Sequence, residues 1–158
     1  TNIVPDVMTT AKGLGNGFPV GALMTQGKAV GILGAGSHGS TYGGTVLGSR
    51  VVYTVLDTLQ KEQAVTNAAT VGTYIVEQLR AQLAGYNVQV RGFGMMIGIQ
   101  LPKDCAELVA IARDQYKLII NVTAGSVVRL LPPLNMTPDQ ADELLKRLVP
   151  AIQNFLNA

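Results

Sequence analysis

Three features of the sequence predict an α/β chain in two parts. A short apolar run, Ile3 to Met8, leads into a glycine-rich turn and a second apolar run, Val20 to Met24. Two stretches with helical spacing then follow without an intervening strand. After Gly85-Tyr86-Asn87 the pattern changes to short β-branched runs broken by glycine and proline, closed by one amphipathic helix. Residues 1–85 are expected to form the first part, largely helical, and residues 86–158 a small α+β domain.

Composition narrows the class. The chain has 158 residues, of which 47% are hydrophobic and 14% charged. That is the balance of a folded chain with a core, not of a disordered one. No apolar run is long enough to span a membrane. The net charge of +2 is small and scattered, so nothing points to nucleic acid. One histidine, one cysteine and no acidic cluster leave no plausible metal site. Cys105 as the single cysteine excludes an internal disulfide and suits a reducing compartment, so a cytoplasmic location is expected. The chain begins at Thr1, close before its first strand and without a leader-like segment, and is read as a fragment.

The elements follow in order. Ile3 to Met8 and Val20 to Met24 read as strands around the turn Gly13-Leu14-Gly15-Asn16-Gly17. Val46, Leu47, Val51, Val55, Leu56 and Leu59 predict a helix to about Gln60. Val65, Ala68, Gly72, Ile75, Val76, Leu79 and Leu83 predict a second, over 64–83. Val88 to Arg91 and Met95 to Leu101 read as strands joined by Gly92-Phe93-Gly94, with Met95 and Met96 as core residues. A helix is expected over 106–116, a strand over 118–122, a turn at 123–126 and a strand over 127–131 that Pro132-Pro133 stops. Thr137-Pro138-Asp139-Gln140 opens the last helix with a capping threonine, a first-position proline and a third-position glutamine. Leu144, Leu145, Leu148, Ile152 and Leu156 mark its buried side, and Pro150 is expected to kink or interrupt it.

Three places carry candidate chemistry. Lys12 stands at the end of a strand and at the mouth of a glycine turn, where a backbone can come close to a ligand. There a lysine is a point charge for a phosphate, an amine nucleophile, or simply a solvated surface residue. The spacing G-x-G-x-G does not match the dinucleotide fingerprint, and a Walker lysine would follow its glycines instead of preceding them. Ser37-His38-Gly39-Ser40-Thr41-Tyr42-Gly43-Gly44-Thr45 is a hydroxyl-rich loop at a helix entrance. It either caps the helix or binds phosphate with the free N–H groups. Arg129 interrupts the apolar strand Val127-Val128-Arg129-Leu130-Leu131. It lies on a solvated face or grips a carboxylate.

Taken together, these pieces resemble the class III, ornithine-type pyridoxal-phosphate aminotransferases. The resemblance runs over the whole chain in order and spacing. Pro5-Asp6-Val7-Met8-Thr9-Thr10-Ala11-Lys12-Gly13-Leu14-Gly15-Asn16-Gly17-Phe18-Pro19 resembles the segment with the family's Schiff-base lysine, which implies that role for Lys12. His38-Gly39-Ser40-Thr41-Tyr42-Gly43-Gly44 resembles the loop that reaches the neighbouring subunit's cofactor phosphate, which implies a phosphate ligand in Thr41 and a substrate neighbour in Ser40. Val128-Arg129-Leu130-Leu131-Pro132-Pro133-Leu134 resembles the segment whose arginine meets a substrate carboxylate or a nearby acid. The implied fold is the C-terminal part of a fold-type I transferase: the end of the large cofactor domain and the small domain. The implied cofactor is pyridoxal 5'-phosphate. The implied partners are a second copy in a homodimer with a shared site, an amino acid and 2-oxoglutarate. The substrate implied is N2-acetylornithine, in arginine biosynthesis, with ornithine or another ω-amine as the alternative.

The sequence departs from the family at Thr45-Val46, where Asn-Pro usually follows the two glycines; a local effect on the helix start is expected. The family's glycine-rich phosphate loop, ring-stacking aromatic, ring-nitrogen aspartate and a substrate arginine are expected upstream of Thr1. On that view the 158-residue piece alone is inactive. A non-catalytic folding and dimerisation unit is the reading of a different class.

Overall fold

The computed structural model describes residues 3–158. They form two compact units, one up to Lys61 and one spanning Glu62–Ala158. The division falls at Lys61/Glu62, not near Gly85, because the second long helix packs on the sheet of the later unit and belongs with it.

In the first unit, β1 (Val7–Thr10) pairs antiparallel with β2 (Ala22–Thr25), Thr9 opposite Leu23. Both strands start later than the apolar runs suggested. Their ladder is closed by Gln26, whose N–H donates to Asp6 O at 2.8 Å and whose side chain reaches Pro5 O. Between them Lys12–Leu14 make one 3-10 turn. Helix α1 (Val46–Lys61) ends the unit. Thr45 caps it: its hydroxyl accepts from Gly48 N–H at 3.3 Å, and its carbonyl takes the first helical bond from Ser49. The departure at Thr45-Val46 therefore keeps a capped helix start. Gly48 lets the ring of Phe18 lie against α1, since a Cβ there would stand 3.3 Å from Phe18 Cε1. The helix is found where the spacing put it, with Val46, Leu47 and Leu56 exposed.

The second unit has one layer of helices on one antiparallel sheet. Its elements are α2 (Ala64–Gln82), β3 (Gln89–Phe93), β4 (Met96–Gln100), α3 (Leu108–Tyr116), β5 (Asn121–Thr123), β6 (Val127–Leu130) and α4 (Pro138–Asn157). The spatial order is β3-β4-β6-β5. The period-2 pattern decides which face is covered. Ile97, Ile99, Val128 and Leu130 point under the helices and meet Ile75 and Leu79 of α2, Leu108 of α3, and Leu148 and Ile152 of α4 in one core. Each such side chain contributes roughly 1.5–3 kcal/mol by leaving water. Met95 is in this core, whereas Met96 is exposed on the other face, as a strand's alternation requires. Val65, at the start of α2, is exposed as well.

Polar contacts fix the helices in place. Asn67 donates to Leu134 O and Met136 O at 2.7 and 3.0 Å, anchoring the segment after β6 on α2. Arg80 donates from Nε and a terminal nitrogen to Val90 O, holding α2 to β3. Tyr74 donates to Asp142 across α2 and α4; that bond raises the phenol above its ordinary range, because losing its proton would set two anions together. Gly72 is a true close approach: a Cβ there would fall 2.1 Å from Gly94 O. The capping box of α4 is complete, Thr137 and Gln140 bonding each other's backbone N–H. Pro150 does not interrupt α4, which runs on to Asn157. The helix is flanked there by buried Val149, Ala151 and Ile152, and its packing outweighs the one lost hydrogen bond.

Candidate functional site

Lys12, Ser40 and Thr41 belong to the first unit and Arg129 to the second. Each unit presents its candidates from a different kind of backbone.

Lys12 opens the turn that follows β1, two residues beyond the last strand residue, Thr10. Its φ is 52°, the left-handed region, and its side chain is exposed. For a residue with a Cβ that conformation costs about 1–2 kcal/mol. Leu14 N–H to Ala11 O and Gly15 N–H to Lys12 O, both 3.1 Å, hold the turn in that form. Among the described residues no carboxylate lies in ion-pair contact with the Lys12 amine. Asp6, the nearest acid in sequence, accepts from Lys28 N–H at 3.3 Å instead.

The loop before α1 is fully exposed from Ser37 to Gly44. Gly43 allows it to fold back on itself, since a Cβ there would lie 3.2 Å from Ser40 Cβ and 3.5 Å from Ser40 Oγ. Ser40 faces a cleft of about 620 Å³, walled by Phe18, Val20, Tyr42, Thr45 and Gly48. Lys12 and Thr41 stand outside that wall. The hydroxyls of Ser40 and Thr41 and the free N–H groups of a glycine-containing loop are the donors that a phosphate takes. An exposed primary amine is the group that a carbonyl condenses with. The residues present thus fit a phosphorylated aldehyde cofactor.

In the second unit, Arg129 is exposed on the uncovered face of the sheet, between buried Val128 and Leu130. Exposure there fits both readings of its strand, since a guanidinium that meets a ligand must also be reachable. Arg129 stands in register with Gly98 on β4 and Asn121 on β5. One strand further, Arg91 faces Gly98 from β3. Arg91 was not legible from residue order, because the alternation that puts both arginines on one face emerges only with the register. Cys105 is buried, and burial with nearby Asp104 pushes its thiol up, which removes it as a nucleophile. Among the described residues no group of His, Cys, Asp and Glu could hold a metal ion, and no helix is long and apolar enough to cross a membrane.

Comparison with known proteins bears on this site. The family described as aminotransferase class-III matches residues 1–152. Acetylornithine aminotransferase 1 of Bordetella parapertussis is 43% identical over 98% of this chain, and acetylornithine aminotransferase of Nitrosomonas europaea is 41% identical over 100% of this chain. The chain spans about 40% of the length of each of these relatives. Among solved structures, ornithine aminotransferase of Plasmodium yoelii superposes with a TM-score of 0.90 at 28% identity, covering 98% of this chain and 42% of that one. Acetylornithine aminotransferase of Elizabethkingia anophelis superposes at 0.88 with 26% identity and the same coverage.

Proposed function

Because the chain belongs to the class-III aminotransferase family, we propose that it forms part of an enzyme moving an amino group from N2-acetylornithine to 2-oxoglutarate. The products are N-acetylglutamate 5-semialdehyde and glutamate. The 43% identity to a relative named acetylornithine aminotransferase, over nearly all of the chain, carries this reading.

Pyridoxal 5'-phosphate, when bound, would supply the sink for the electron pair left on the substrate carbon as its proton is moved. Lys12 holds the cofactor through its Nζ and, once released, takes and returns that proton at the same atom, as a positioned base and acid. The left-handed backbone at Lys12 sets the direction from which the amine emerges, ahead of any ligand. Thr41 gives its hydroxyl to the cofactor phosphate of a partner subunit in a homodimer, and Ser40 lies beside the substrate. Arg129 orients a substrate carboxylate with its planar fork. The reaction is placed in the cytoplasm, in arginine biosynthesis.

Ornithine as the amine is the second reading, and the superposition on ornithine aminotransferases favours it. The deciding experiment uses the natural-length protein with pyridoxal phosphate and 2-oxoglutarate, comparing the two amines. Lys12→Ala abolishes the borohydride-reducible cofactor link and lowers turnover by several orders of magnitude, the scale of a lost nucleophile. A link retained at another lysine sinks the role of Lys12. A higher kcat/KM for ornithine selects the second reading.

A further inference from the structure

On the uncovered sheet face, Arg91, Gly98, Arg129 and Asn121 form one row across four strands. Neighbouring strands lie about 4.8 Å apart, so the two arginine Cα atoms stand about 10 Å from each other. Gly98 separates them without a side chain, and Arg91 uses that space. A Cβ built on Gly98 would be 3.5 Å from Val127 Cγ1 on β6, 3.7 Å from Arg91 Nε and 3.8 Å from its Cγ. The Arg91 side chain therefore leans across β4, toward the strand that carries Arg129.

Both arginines are exposed, and neither forms an ion pair among the described residues. The other arginines of this unit have partners: Arg113 is paired with Asp114, Arg147 with Glu143, and Arg80 donates to Val90 O. A guanidinium cannot shed its charge. Two of them on one patch repel until an anion comes between them. The next row along the strands is apolar, with Phe93 opposite Met96 and these side chains 89% and 66% exposed. A hydrated inorganic ion has no use for that wall; a carboxylate on a carbon chain does.

We propose that Arg91 and Arg129 share one carboxylate above Gly98, with its carbon chain along Phe93 and Met96. Arg91 is then a second binding residue of the site in which Arg129 orients substrate, and the inference rests on that reading only for the kind of acid bound. The carboxylate belongs to a free organic acid or to an aspartate or glutamate elsewhere in the polypeptide.

The test reads binding, not turnover, so it survives a failure of the proposed reaction. The natural-length protein is labelled with 15N and the Nε–Hε signals of Arg91 and Arg129 are followed during titration with glutarate. Both signals move with one dissociation constant if the free acid is the ligand. Both signals already protected from water, and unmoved by glutarate, identify a carboxylate of the polypeptide. Arg91→Gln weakens glutarate binding about tenfold, the scale of a lost charge-assisted bond, or releases the protection at Arg129. Gly98→Val, which keeps both charges and suits a strand, does the same by filling the space. Signals that respond independently overturn the proposal. So does Arg91→Gln with unchanged affinity and unchanged protection at Arg129, or a pair that stays water-exposed at saturating glutarate.

Discussion

Up to Lys61, the buried positions among the described residues are Gly15 and Gly48. From Glu62 onward, Ile75, Leu79, Ile97, Ile99, Leu108, Leu148 and Ile152 are all but sealed from water. One half of the molecule keeps its apolar side chains on show and the other stacks them. The difference teaches where chemistry can be housed. A side chain that must reach a cofactor cannot also fill a core, and the proposed lysine and hydroxyls lie in the half without one. The core half offers only what its sheet turns outward, and that is where both arginines are.

The largest effect that sharpens this contrast is a truncation in each half. Ile75→Ala empties space in a closed core and is expected to cost about 2–5 kcal/mol. Leu47→Ala, on the exposed face of α1, is expected to change stability by less than about 0.5 kcal/mol. Denaturant midpoints of the two variants of the 158-residue chain provide the measurement. Equal losses would mean that α1 is packed against something in solution, and the contrast would be gone.

A smaller effect concerns the surface of the well-packed half. Arg147 donates to Glu143 at 2.7 Å and also reaches Lys117 O, tying α4 to the end of α3. That bond, and then the charges of Arg147 and Lys146, hold the Glu143 carboxyl below its ordinary value. The folded pKa is depressed, so the contribution is present above the ordinary carboxylate range and is lost as pH falls through the lower folded value. The pair is exposed, and such pairs add little. Glu143→Gln should therefore lower the melting temperature slightly at pH 7 and not at all at pH 2. A variant with the same deficit at both pH values would show that packing, not charge, is at stake.

Much of this was legible in residue order. The capping box at Thr137 and the helix spacing of α2 and α4 are local signals, and local signals survive folding. The Lys12 turn was legible for the same reason, since Gly13, Gly15 and Gly17 follow the lysine in close succession. Pro150 was misread because its local penalty is set against buried neighbours that only the fold brings together. The exposure of the α1 face was not legible, because helical spacing tells which residues align, not whether anything covers them. Arg91 was invisible because strand register is a property of pairs. The division at Lys61 was hidden because α1 and α2 look alike in sequence and differ only in what they pack on.

The backbone at position 12 has a consequence for how such a chain changes under selection. At φ 52° glycine is the least strained occupant, with asparagine next. On the role proposed for Lys12, stability and chemistry pull this position in opposite directions. A library of variants sorted only for folding would drift from lysine to glycine there, gaining resilience as it loses its amine. The same library sorted for turnover would keep the strained lysine, so the ratio of the two outcomes at this single codon reports which pressure a population has been under.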